Sequence, residues 1–494
     1  MYRRLTNKNR EERIRVFDLR FGGMPLARRR PMSREEFVRR DIQAFLVSKK
    51  RNEMLVGQRY YAGLHDILQK QRTAIGEAGK VTVLDNLPNN RIEDNCYRRI
   101  VQQKVNYLLG RPLLIKSENA EFEEKLKAYF NAEFQGTLRQ IAADGLNCGL
   151  GYLYIYADSE GKLGFKVFRP YEVIPGWADE EHKKLDYVIR IYKIECADGR
   201  EPVKKAEFYT KKRVYTYRFE RNRLVLEKSV PYFRIGDKDC RFDEIPIVPF
   251  KYSEDERPLI TGIKSLQDSL NMMLSTYQDC LQEDSRNTIL VIKNYDGEDL
   301  GEFRRNLAAY GAVKVRAVDG VEGDVQTLNI SVDGENYKSI IELLKKTIVE
   351  NGRGFDTKAL REMSAPNQMN IQSMYADIDL DANGMEAEMQ YSLAKVIRFI
   401  SLYLFNTAQG NFIDEKVEII FNRDVLINEN EAIDGCVKSI GLISNESLLA
   451  QHPYVNDVAA ELARLAKEKK AQSGRKKENE NGNGNNRRTD AART

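Results

Sequence analysis

The sequence predicts an α+β fold in which a mixed α/β body carries an excursion of two long helices joined by a small αβ module. Three observations lead to this prediction. Two amphipathic helical patterns flank a strand-rich insert, short β patterns fill much of residues 152–250, and further helical patterns follow towards the C-terminus. The stretch around which the rest of the chain is arranged runs from Gly262 to Asp381; it contains most of the excursion, residues 256–352, the polar loop after it and the start of a third helix.

Residues 1–51 are predicted to form a basic arm that ends in a helix, because Ser33 and Glu36 match a capping box ahead of apolar residues at helical spacing. Residues 52–255 are predicted to form the α/β body. Its helices are expected up to Tyr61 and over Ile100–Leu109, Ala120–Phe130 and Leu138–Cys148, and its strands over Tyr152–Tyr156, Gly164–Arg169, Tyr187–Lys193, Glu207–Thr210, Val214–Phe219 and Arg223–Glu227.

The excursion begins with a helix over residues 256–284 and ends with a helix over residues 332–352. At 1.5 Å per residue the amphipathic part of the first helix, from Gly262 onwards, is roughly 35 Å long. The insert between them, residues 285–331, contains two β-rich runs, and Gly301–Tyr310 suits a short helix. The apolar faces of the two long helices are predicted to be Ile263, Leu266, Leu270, Met273, Tyr277 and Cys280 on the first, and Tyr337, Ile340, Ile341, Leu344 and Ile348 on the second; the β-rich runs are Thr288–Tyr295 and Ala312–Val318.

A polar loop, residues 353–370, follows the second long helix. Glycines at its start and Pro366 within it prevent a continuous helix, so we expect a hinged segment suited to moving against a partner. Residues 371–430 are predicted to hold a long acidic helix, bent near Gly384, and a strand that returns to the body. Residues 431–471 are predicted to be helical, and residues 472–494 to be a disordered basic tail.

Charge is unevenly distributed along the chain, although the formal net charge is only +5. Residues 1–51 hold 16 Lys and Arg against 6 Asp and Glu, and residues 467–494 hold 9 against 4. The remainder is therefore acidic, with a formal charge of −10. Basic ends are typical of solvated arms or of contacts with nucleic acid or acidic protein, whereas the acidic middle argues against a protein that grips DNA along its main surface.

No targeting segment or cysteine framework is visible. An apolar signal region is missing near Met1, and the longest apolar run, Val396–Phe405, is too short to span a bilayer. We therefore expect a soluble chain made in a cytoplasm, without membrane contact. The 6 cysteines lie far apart and form no C-x-x-C pair, so neither a zinc site nor a disulfide framework is expected.

Motifs for catalysis or cofactor binding are incomplete. The segment Asp379–Gly384 resembles the start of an EF-hand loop, but Gln390 stands where a calcium-binding Glu belongs. The sequence has no P-loop, and His65, His182 and His452 are isolated from one another. We therefore predict that the chain is not an enzyme and uses no cofactor or metal.

Several short motifs, each weak alone, together resemble one protein family. They span about residues 52–470 in the family's order. The motifs are Tyr60, Tyr61, Gly63, His65, Ile67 and Leu68; Asn89, Asn90, Arg91, Ile92, Asn95, Ile100, Val101, Lys104, Tyr107, Leu108, Leu109, Gly110 and Pro112; Tyr171, Val173, Ile174 and Pro175; Ile247, Pro249 and Phe250; Gly352, Arg353 and Gly354; Tyr375, Ala376, Asp377, Asp379 and Leu380; and Phe421, Arg423, Asp424, Asn428, Glu429 and Glu431. In these residues the chain resembles the portal proteins of tailed bacteriophages, of the long-tailed siphophage type.

The resemblance implies a portal fold and a virion component. The wing would be residues 52–255, the stem the two long helices, the clip residues 285–331, the tunnel loop residues 353–370, and the crown residues 431–471. Portal proteins form a dodecameric ring at one capsid vertex, through which double-stranded DNA is packaged and ejected without sequence specificity. The implied partners are further copies of the chain, the terminase large subunit, a head–tail adaptor, and the major capsid and scaffolding proteins.

The resemblance also directs attention to three groups of site residues. The tunnel loop lacks the Gly/Ser-rich run of many relatives and has Ala365, Pro366 and Asn367 instead, but its basic and amide side chains remain suited to weak phosphate contacts. The expected residues are Arg353, Lys358, Arg361, Asn367 and Gln368 in the tunnel loop; Lys338, Glu342, Lys345 and Lys346 on the channel face of the stem; and Asp296, Glu298, Arg304 and Arg305 on the docking surface of the clip.

Two other functions remain open at this point. A metal-dependent nucleic-acid enzyme would use the acidic cluster Asp377, Asp379 and Asp381. A monomeric DNA-binding or scaffold protein would act through its basic ends. Neither alternative needs a pair of long helices with a module at its tip. A simpler interpretation of Lys345 or Lys346 is a pair with Glu342 along the helix or with a neighbouring subunit.

Overall fold

The chain has an α+β structure, described here by a computed structural model. The described residues are 32–75, 80–85, 87–158, 160–195, 201–221, 223–235, 238–240, 242–284, 289–293, 324–328, 334–356, 368–423, 429–455, 458 and 461–468. They form two compact units. The first contains Met1–Val47, Ile174–Thr210 and Val214–Val230, and the second contains Ser48–Val173, Lys211–Arg213 and Pro231–Thr494.

In chain order, the helices are α1 (Arg34–Leu46), α2 (Lys49–Tyr61), α3 (Cys96–Leu109), α4 (Ala120–Tyr129), α5 (Ala132–Cys148), α6 (Ile260–Asp284), α7 (Gly334–Asn351), α8 (Gln368–Asn406), α9 (Glu429–Lys438) and α10 (Asn445–Gln451). The strands are β1 (Thr73–Ile75), β2 (Val81–Val83), β3 (Leu114–Ser117), β4 (Leu150–Ala157), β5 (Leu163–Phe168), β6 (Val173–Trp177), β7 (Leu185–Ile194), β8 (Val203–Tyr209), β9 (Val214–Glu220), β10 (Arg223–Val230), β11 (Phe233–Ile235), β12 (Lys238–Cys240), β13 (Ile247–Lys251), β14 (Ile289–Lys293), β15 (Asp324–Leu328) and β16 (Val417–Ile420).

The first unit is a sheet of five strands, in the order β10-β9-β8-β7-β6, with α1 packed on it. The predicted capping box at Ser33 and Glu36 is confirmed, because each side chain accepts the other's backbone N–H. The ring of Phe37 contacts Tyr187 edge-on at 5.1 Å, and the Tyr187 hydroxyl donates to Asp41 at 2.7 Å. The apolar face of α1 thus packs against the sheet.

This arrangement corrects the predicted boundaries of the body. The sequence predicts that α1 belongs to an N-terminal arm and that residues 52–255 form one unit. Instead, α1 and the strands between Ile174 and Val230 form a unit of their own. The error has a physical cause, since the apolar pattern of α1 shows that one face is buried but does not show which distant surface buries it.

The second unit begins with helices α2 to α5, of which α5 packs on the three-stranded sheet β13-β4-β5 while α2 and α3 pack on α5. The predicted helices are confirmed within a few residues of their expected ends. Helix α5 ends at Gly149, which has a left-handed backbone (φ 84°) that suits glycine, and β4 follows directly. The side chains of α5 and β4 that face inwards are almost fully buried. This core supports the long helices that follow.

The predicted return strand exists but has a different partner from the expected body sheet. Strand β16 pairs antiparallel with β3, from Val417 opposite Ser117 to Ile420 opposite Leu114, in a separate two-stranded sheet. Four residues cannot indicate their own pairing partner, because the hydrogen bonds of a strand edge do not depend on the side chains. Helix α8 precedes it and runs without interruption through Gly384.

The excursion consists of α6, α7 and the strand pair between them. The predicted strand at Thr288–Tyr295 is confirmed as β14, which pairs antiparallel with β15. The sequence reasoning missed β15, because Asp324, Gln326 and Thr327 give it little apolar character. The predicted helix Gly301–Tyr310 and strand Ala312–Val318 lie outside the described residues. None of the described helices has the length and apolar character needed to cross a bilayer.

Candidate functional site

Helices α6 and α7 pack against each other along the excursion, with the ring of Tyr277 stacked on that of Tyr337 at 4.9 Å. The predicted apolar faces are buried or half-buried except at Ile340, but large apolar side chains outside those faces are exposed. Ile348 is fully buried, but Leu343 is 63% exposed. The other large apolar side chains exposed on this pair are Met272, Leu281 and Ile340. The described part of the helix pair therefore exposes these four large apolar side chains, which this subunit does not cover.

The fully buried face of α6 is mainly polar. Four of its side chains recur at every fourth position, and we call Gln267, Asn271, Ser275 and Asp279 the polar ladder. Each accepts a hydrogen bond from a backbone N–H of the segment that leads into α3. The pairs are Asp279 with Asn90 (2.6 Å), Ser275 with Ile92 (2.9 Å), Asn271 with Asp94 (3.0 Å) and Gln267 with Tyr97 (3.1 Å).

The spacing of the polar ladder explains why it fits. Four residues of α-helix advance about 6 Å, and two residues of extended chain advance about 6.6 Å. Side chains at every fourth helical position therefore meet the N–H groups of alternate residues 90, 92 and 94. A segment without helix or strand thereby satisfies its backbone donors inside the protein, where an unpaired donor is costly.

His65 fixes the orientation of the ladder's central residue. Its Nε2 lies 3.0 Å from the Tyr60 carbonyl oxygen, so this nitrogen carries the proton, and Nδ1 accepts from the Asn271 amide at 2.7 Å. The Asn271 oxygen is then free to accept from Asp94. The His65 ring also stacks on Tyr60, whose hydroxyl donates to Asp268 at 2.5 Å. The family motif around residues 60–68 thus supports α6.

At the far end of the ladder, Asp279 forms an ion pair with Lys70. Lys70 donates to it at 2.5 Å, and both side chains are largely buried. Burial acts to raise the pKa of Asp279, but hydrogen bonds from the Asn90 backbone and from Lys70 outweigh it and hold the pKa below its usual value. Asp279 is therefore ionised at neutral pH.

Helix α7 ends in a tight turn that begins the polar loop. The Gly354 N–H donates to the Val349 carbonyl at 2.8 Å, and Arg353 has a left-handed backbone (φ 47°). Glycine usually occupies such a position. We call residues 352–356 the loop anchor. It is the described beginning of the segment that the sequence predicts to be hinged.

The loop anchor is held by side chains of α3. Gln103 hydrogen-bonds both backbone groups of Phe355, donating to its carbonyl at 2.9 Å and accepting its N–H at 3.2 Å. The ring of Phe355 stacks on Tyr375 of α8 at 4.3 Å. The loop anchor is therefore held by hydrogen bonds from α3 and by ring stacking on α8.

Lys104 of α3 lies at the centre of this arrangement. Its ammonium, only 3% exposed, lies 2.5 Å from Asp381 of α8 and 3.2 Å from the Arg353 carbonyl oxygen. The Tyr252 hydroxyl donates to the same carboxylate at 3.1 Å. Burial lowers the pKa of Lys104 against the opposing attraction of Asp381. A buried charge network thus ties the end of α7 to α3 and α8.

A second network lies on the adjacent turn of α8. The Tyr107 hydroxyl donates to Asp379 at 3.0 Å, and Arg423 pairs with both Asp379 and Glu386. Burial, followed by the hydrogen bond to Asp379, raises the pKa of Tyr107 to about 12. This network joins Arg423, in the segment that follows β16, to α8 and α3.

These pairs bear on the hypothesis of a metal-dependent enzyme. Asp379 and Asp381 are directed to different cations, Arg423 and Lys104, in two separate networks. Among the described residues, no group of three or more His, Cys, Asp or Glu side chains is arranged to hold a metal ion. The acidic side chains of α8 therefore serve packing between helices, which the EF-hand-like pattern does not reveal.

The four predicted stem residues lie on α7, but they are not equivalent. Lys345 points back to Asp94 at 2.8 Å, so its ammonium is engaged within the subunit. Lys338 and Lys346 are exposed and pair along their own helix, with Glu335 at 3.1 Å and with Glu350 at 3.7 Å. Glu342 is exposed on the same helix, and its negative charge attracts Lys338.

The predicted loop and clip residues are only partly described. Arg353 is in the loop anchor, with its side chain 57% exposed, and the backbone of Gln368 begins α8. The remaining predicted residues, Lys358, Arg361, Asn367, Asp296, Glu298, Arg304 and Arg305, lie outside the described residues.

Sequence reasoning missed the polar ladder, and it named Lys104 only as a residue of a family motif, without its buried ion pair. Two signals were present. Polar side chains recur at every fourth position of α6, and a lone lysine stands on the apolar face of α3 beside Val101 and Leu108.

Comparison with known proteins identifies the family. Residues 47–475 match the family described as "Phage portal protein, SPP1 Gp6-like". The chain belongs to this phage portal family. Among similar proteins, the portal protein of Bacillus phage SPP1 is 28% identical over 436 residues, covering 86% of each chain. The portal protein of Clostridium phage phiCD119 is 27% identical over 443 residues, covering 86% of this chain and 94% of the relative.

The match to the portal family covers every element of the site. The match begins at the end of α1 and continues beyond α10, so the polar ladder, the loop anchor and α8 all lie within it. The resemblance found in the short motifs is confirmed by the comparison over nearly the whole chain. The enzyme and monomeric DNA-binding hypotheses are not needed to explain any described feature.

Proposed function

We propose that this portal protein assembles into a dodecameric ring at one capsid vertex and there conducts double-stranded DNA into and out of the virion. The observation that carries the proposal is the helix pair α6 and α7, which is anchored to the body by the polar ladder yet exposes large apolar side chains. Such a surface needs a partner, and identical neighbours in a closed ring would cover it on every subunit.

The channel face is proposed to include Arg353 at the loop anchor and Lys338, Glu342 and Lys346 on α7. Lys345 is omitted, because its ammonium is engaged by Asp94. Each exposed lysine has an acidic neighbour on its own helix. Partly neutralised lysines suit a channel, since every phosphate that is fully neutralised adds to the strength with which DNA is held.

The tip of the excursion is proposed to be the clip, where the packaging ATPase and later a head–tail adaptor dock. The antiparallel pair β14 and β15 forms its described base. Asp296, Glu298, Arg304 and Arg305 remain the proposed docking residues. The terminase large subunit would supply the motor chemistry, and the major capsid and scaffolding proteins would surround the ring.

DNA crosslinking within filled capsids tests the proposed channel face. A photo-crosslinking amino acid replaces Lys338 or Lys346, and Lys127 on α4 of the wing provides an exposed control that also pairs with an acidic residue. Capsids are filled, irradiated and digested, and portal subunits bearing DNA are counted. We expect adducts at 338 and 346 and background levels at 127. Equal yields at all three positions, or adducts only at 127, would overturn the assignment.

A further inference from the structure

The glycines and the arginine of the loop anchor occupy unexpected positions. The left-handed residue is Arg353, whereas Gly352 and Gly354 have no such backbone. Space restricts both positions, because an added Cβ at Gly352 would lie 2.9 Å from the Ile348 carbonyl oxygen, and one at Gly354 would lie 3.2 Å from Ile100. An arginine in a left-handed conformation costs conformational energy that a third glycine would avoid. A side chain kept at such a position points to a function for the guanidinium.

The Arg353 guanidinium stands beside a carboxylate that it does not pair with closely. Its Nη1 is 3.7 Å from Asp381 Oδ1, and the side chain is 57% exposed. Asp381 already receives Lys104 at 2.5 Å on its other oxygen and the Tyr252 hydroxyl at 3.1 Å. The buried lysine therefore supplies the neutralising charge that the arginine would otherwise supply.

From this geometry we propose that Lys104 is a positioning residue for Arg353: by occupying Asp381 and holding the Arg353 carbonyl, it keeps the guanidinium outside the protein, facing the phosphates of DNA in the channel. The inference rests on the proposed function for its last step only. Without Lys104, the negative charge of Asp381 would lack its nearest cation, and the flexible Arg353 side chain is the next cation within reach. The arginine would then turn inwards.

The structural step can be tested without DNA. Purified rings of the wild type and of Lys104→Met are imaged at a resolution that shows the Arg353 side chain. We expect the guanidinium to move from 3.7 Å to hydrogen-bonding distance of Asp381, about 2.8 Å. The matched control is Lys70→Met, which removes a second largely buried lysine from a carboxylate of α6. An Arg353 that keeps its place in Lys104→Met would overturn the proposal.

The functional step is tested by DNA packaging with the full set of partners. Arg353→Gly removes the side chain and suits the left-handed backbone. We expect Lys104→Met and Arg353→Gly each to reduce the packaging rate about threefold, the effect of losing one exposed charge contact, and the double variant to be no slower than Arg353→Gly. Losses that multiply in the double variant would show that Lys104 acts independently of Arg353, against the proposal.

A rescue variant covers the case in which Lys104→Met fails to assemble. Lys104→Met with Asp381→Asn removes both charges, so no carboxylate remains to draw Arg353 inwards. We expect this ring to package at the wild-type rate, and a persistent loss would contradict the proposal. If Arg353→Gly packages normally while Lys104→Met still turns Arg353 inwards, the DNA contact of the proposed function fails and the positioning role stands.

Discussion

At the residue scale, the most informative side chains are polar groups in apolar surroundings. Lys104, Asn271 and His65 are each at most 3% exposed, and each is satisfied by named partners. Sequence reasoning located His65 and Lys104 only through the family motifs, because a single polar residue in an apolar pattern does not reveal its partner. Both partners lie far along the chain, at Asn271 and Asp381, and only the folded backbone brings them together.

Asp144 on α5 makes the stability of the protein depend on pH. Burial raises its pKa to about 6, against a hydrogen bond from Gln58 at 2.8 Å. Between about pH 4 and pH 6 the folded chain retains a proton that the unfolded chain loses, so stability falls as pH rises through this window. Asp144→Asn should therefore stabilise the protein by about 1–2 kcal/mol above pH 6 and have little effect at pH 4.

Thermal unfolding at pH 4.5 and pH 7.5 measures this effect. The control is Glu133→Gln, which changes an exposed carboxyl on the same helix and should shift the midpoint little at either pH. A gain from Asp144→Asn that is the same at both values would mean that the substitution acts through packing and not through the proton.

At the element scale, the two long helices of the excursion were predictable, but the use of their faces was not. The apolar spacing correctly indicated α6 and α7. It also suggested that Leu266 and Met273 face the core, whereas they are only half-buried, and the polar ladder shares the fully buried face with Ile263 and Leu270. The reason is that hydrophobic periodicity identifies one apolar face without telling whether the subunit or its neighbour covers it.

The polar ladder gives a stability prediction for α6. Replacing Asn271 by Leu keeps the branch point of the side chain but leaves the buried Asp94 N–H and the His65 Nδ1 without their partner. We expect a loss of about 2–3 kcal/mol in the free energy of unfolding, measured by chemical denaturation. Met272→Leu, on the exposed neighbouring position, should change it by less than about 0.5 kcal/mol. Similar losses in both variants would contradict the role of the ladder.

Two helical glycines should respond in opposite directions to the same change. An added Cβ at Gly57 of α2 would lie 1.9 Å from the Asn147 carbonyl oxygen of α5, whereas at Gly384 of α8 it would meet no atom within 4 Å. Gly57→Ala should therefore cost about 1–3 kcal/mol or more. Gly384→Ala should stabilise by about 0.5–1 kcal/mol. Thermal unfolding measures both changes in stability. A stabilised Gly57→Ala would show that α2 and α5 do not approach so closely.

At the scale of the whole molecule, the sequence predicted the order of the parts better than their grouping. The α+β class, the excursion and the long helix α8 could be inferred from periodicity and turn residues. The division into two units could not, because α1 is joined to its sheet by packing across more than a hundred residues of sequence. The pairing of β14 with β15 likewise depends on backbone hydrogen bonds that leave little trace in the side chains.

Charge distribution is also a property of the whole molecule. The acidic middle of the chain and the basic ends are consistent with a passage that lets a polyanion slide, since a strongly basic lining would hold DNA in a salt-dependent manner. The described networks around Asp379 and Asp381 show how acidic side chains can be retained inside a portal subunit by pairing them with buried or half-buried cations.

The central claim is that the exposed apolar surface of α6 and α7 is covered by identical neighbours in a ring. Particle mass from light scattering, combined with electron microscopy of the purified full-length chain, tests it most directly. We expect rings with a central hole and a mass of about twelve chains. A compact monomer that persists at high protein concentration would contradict the account.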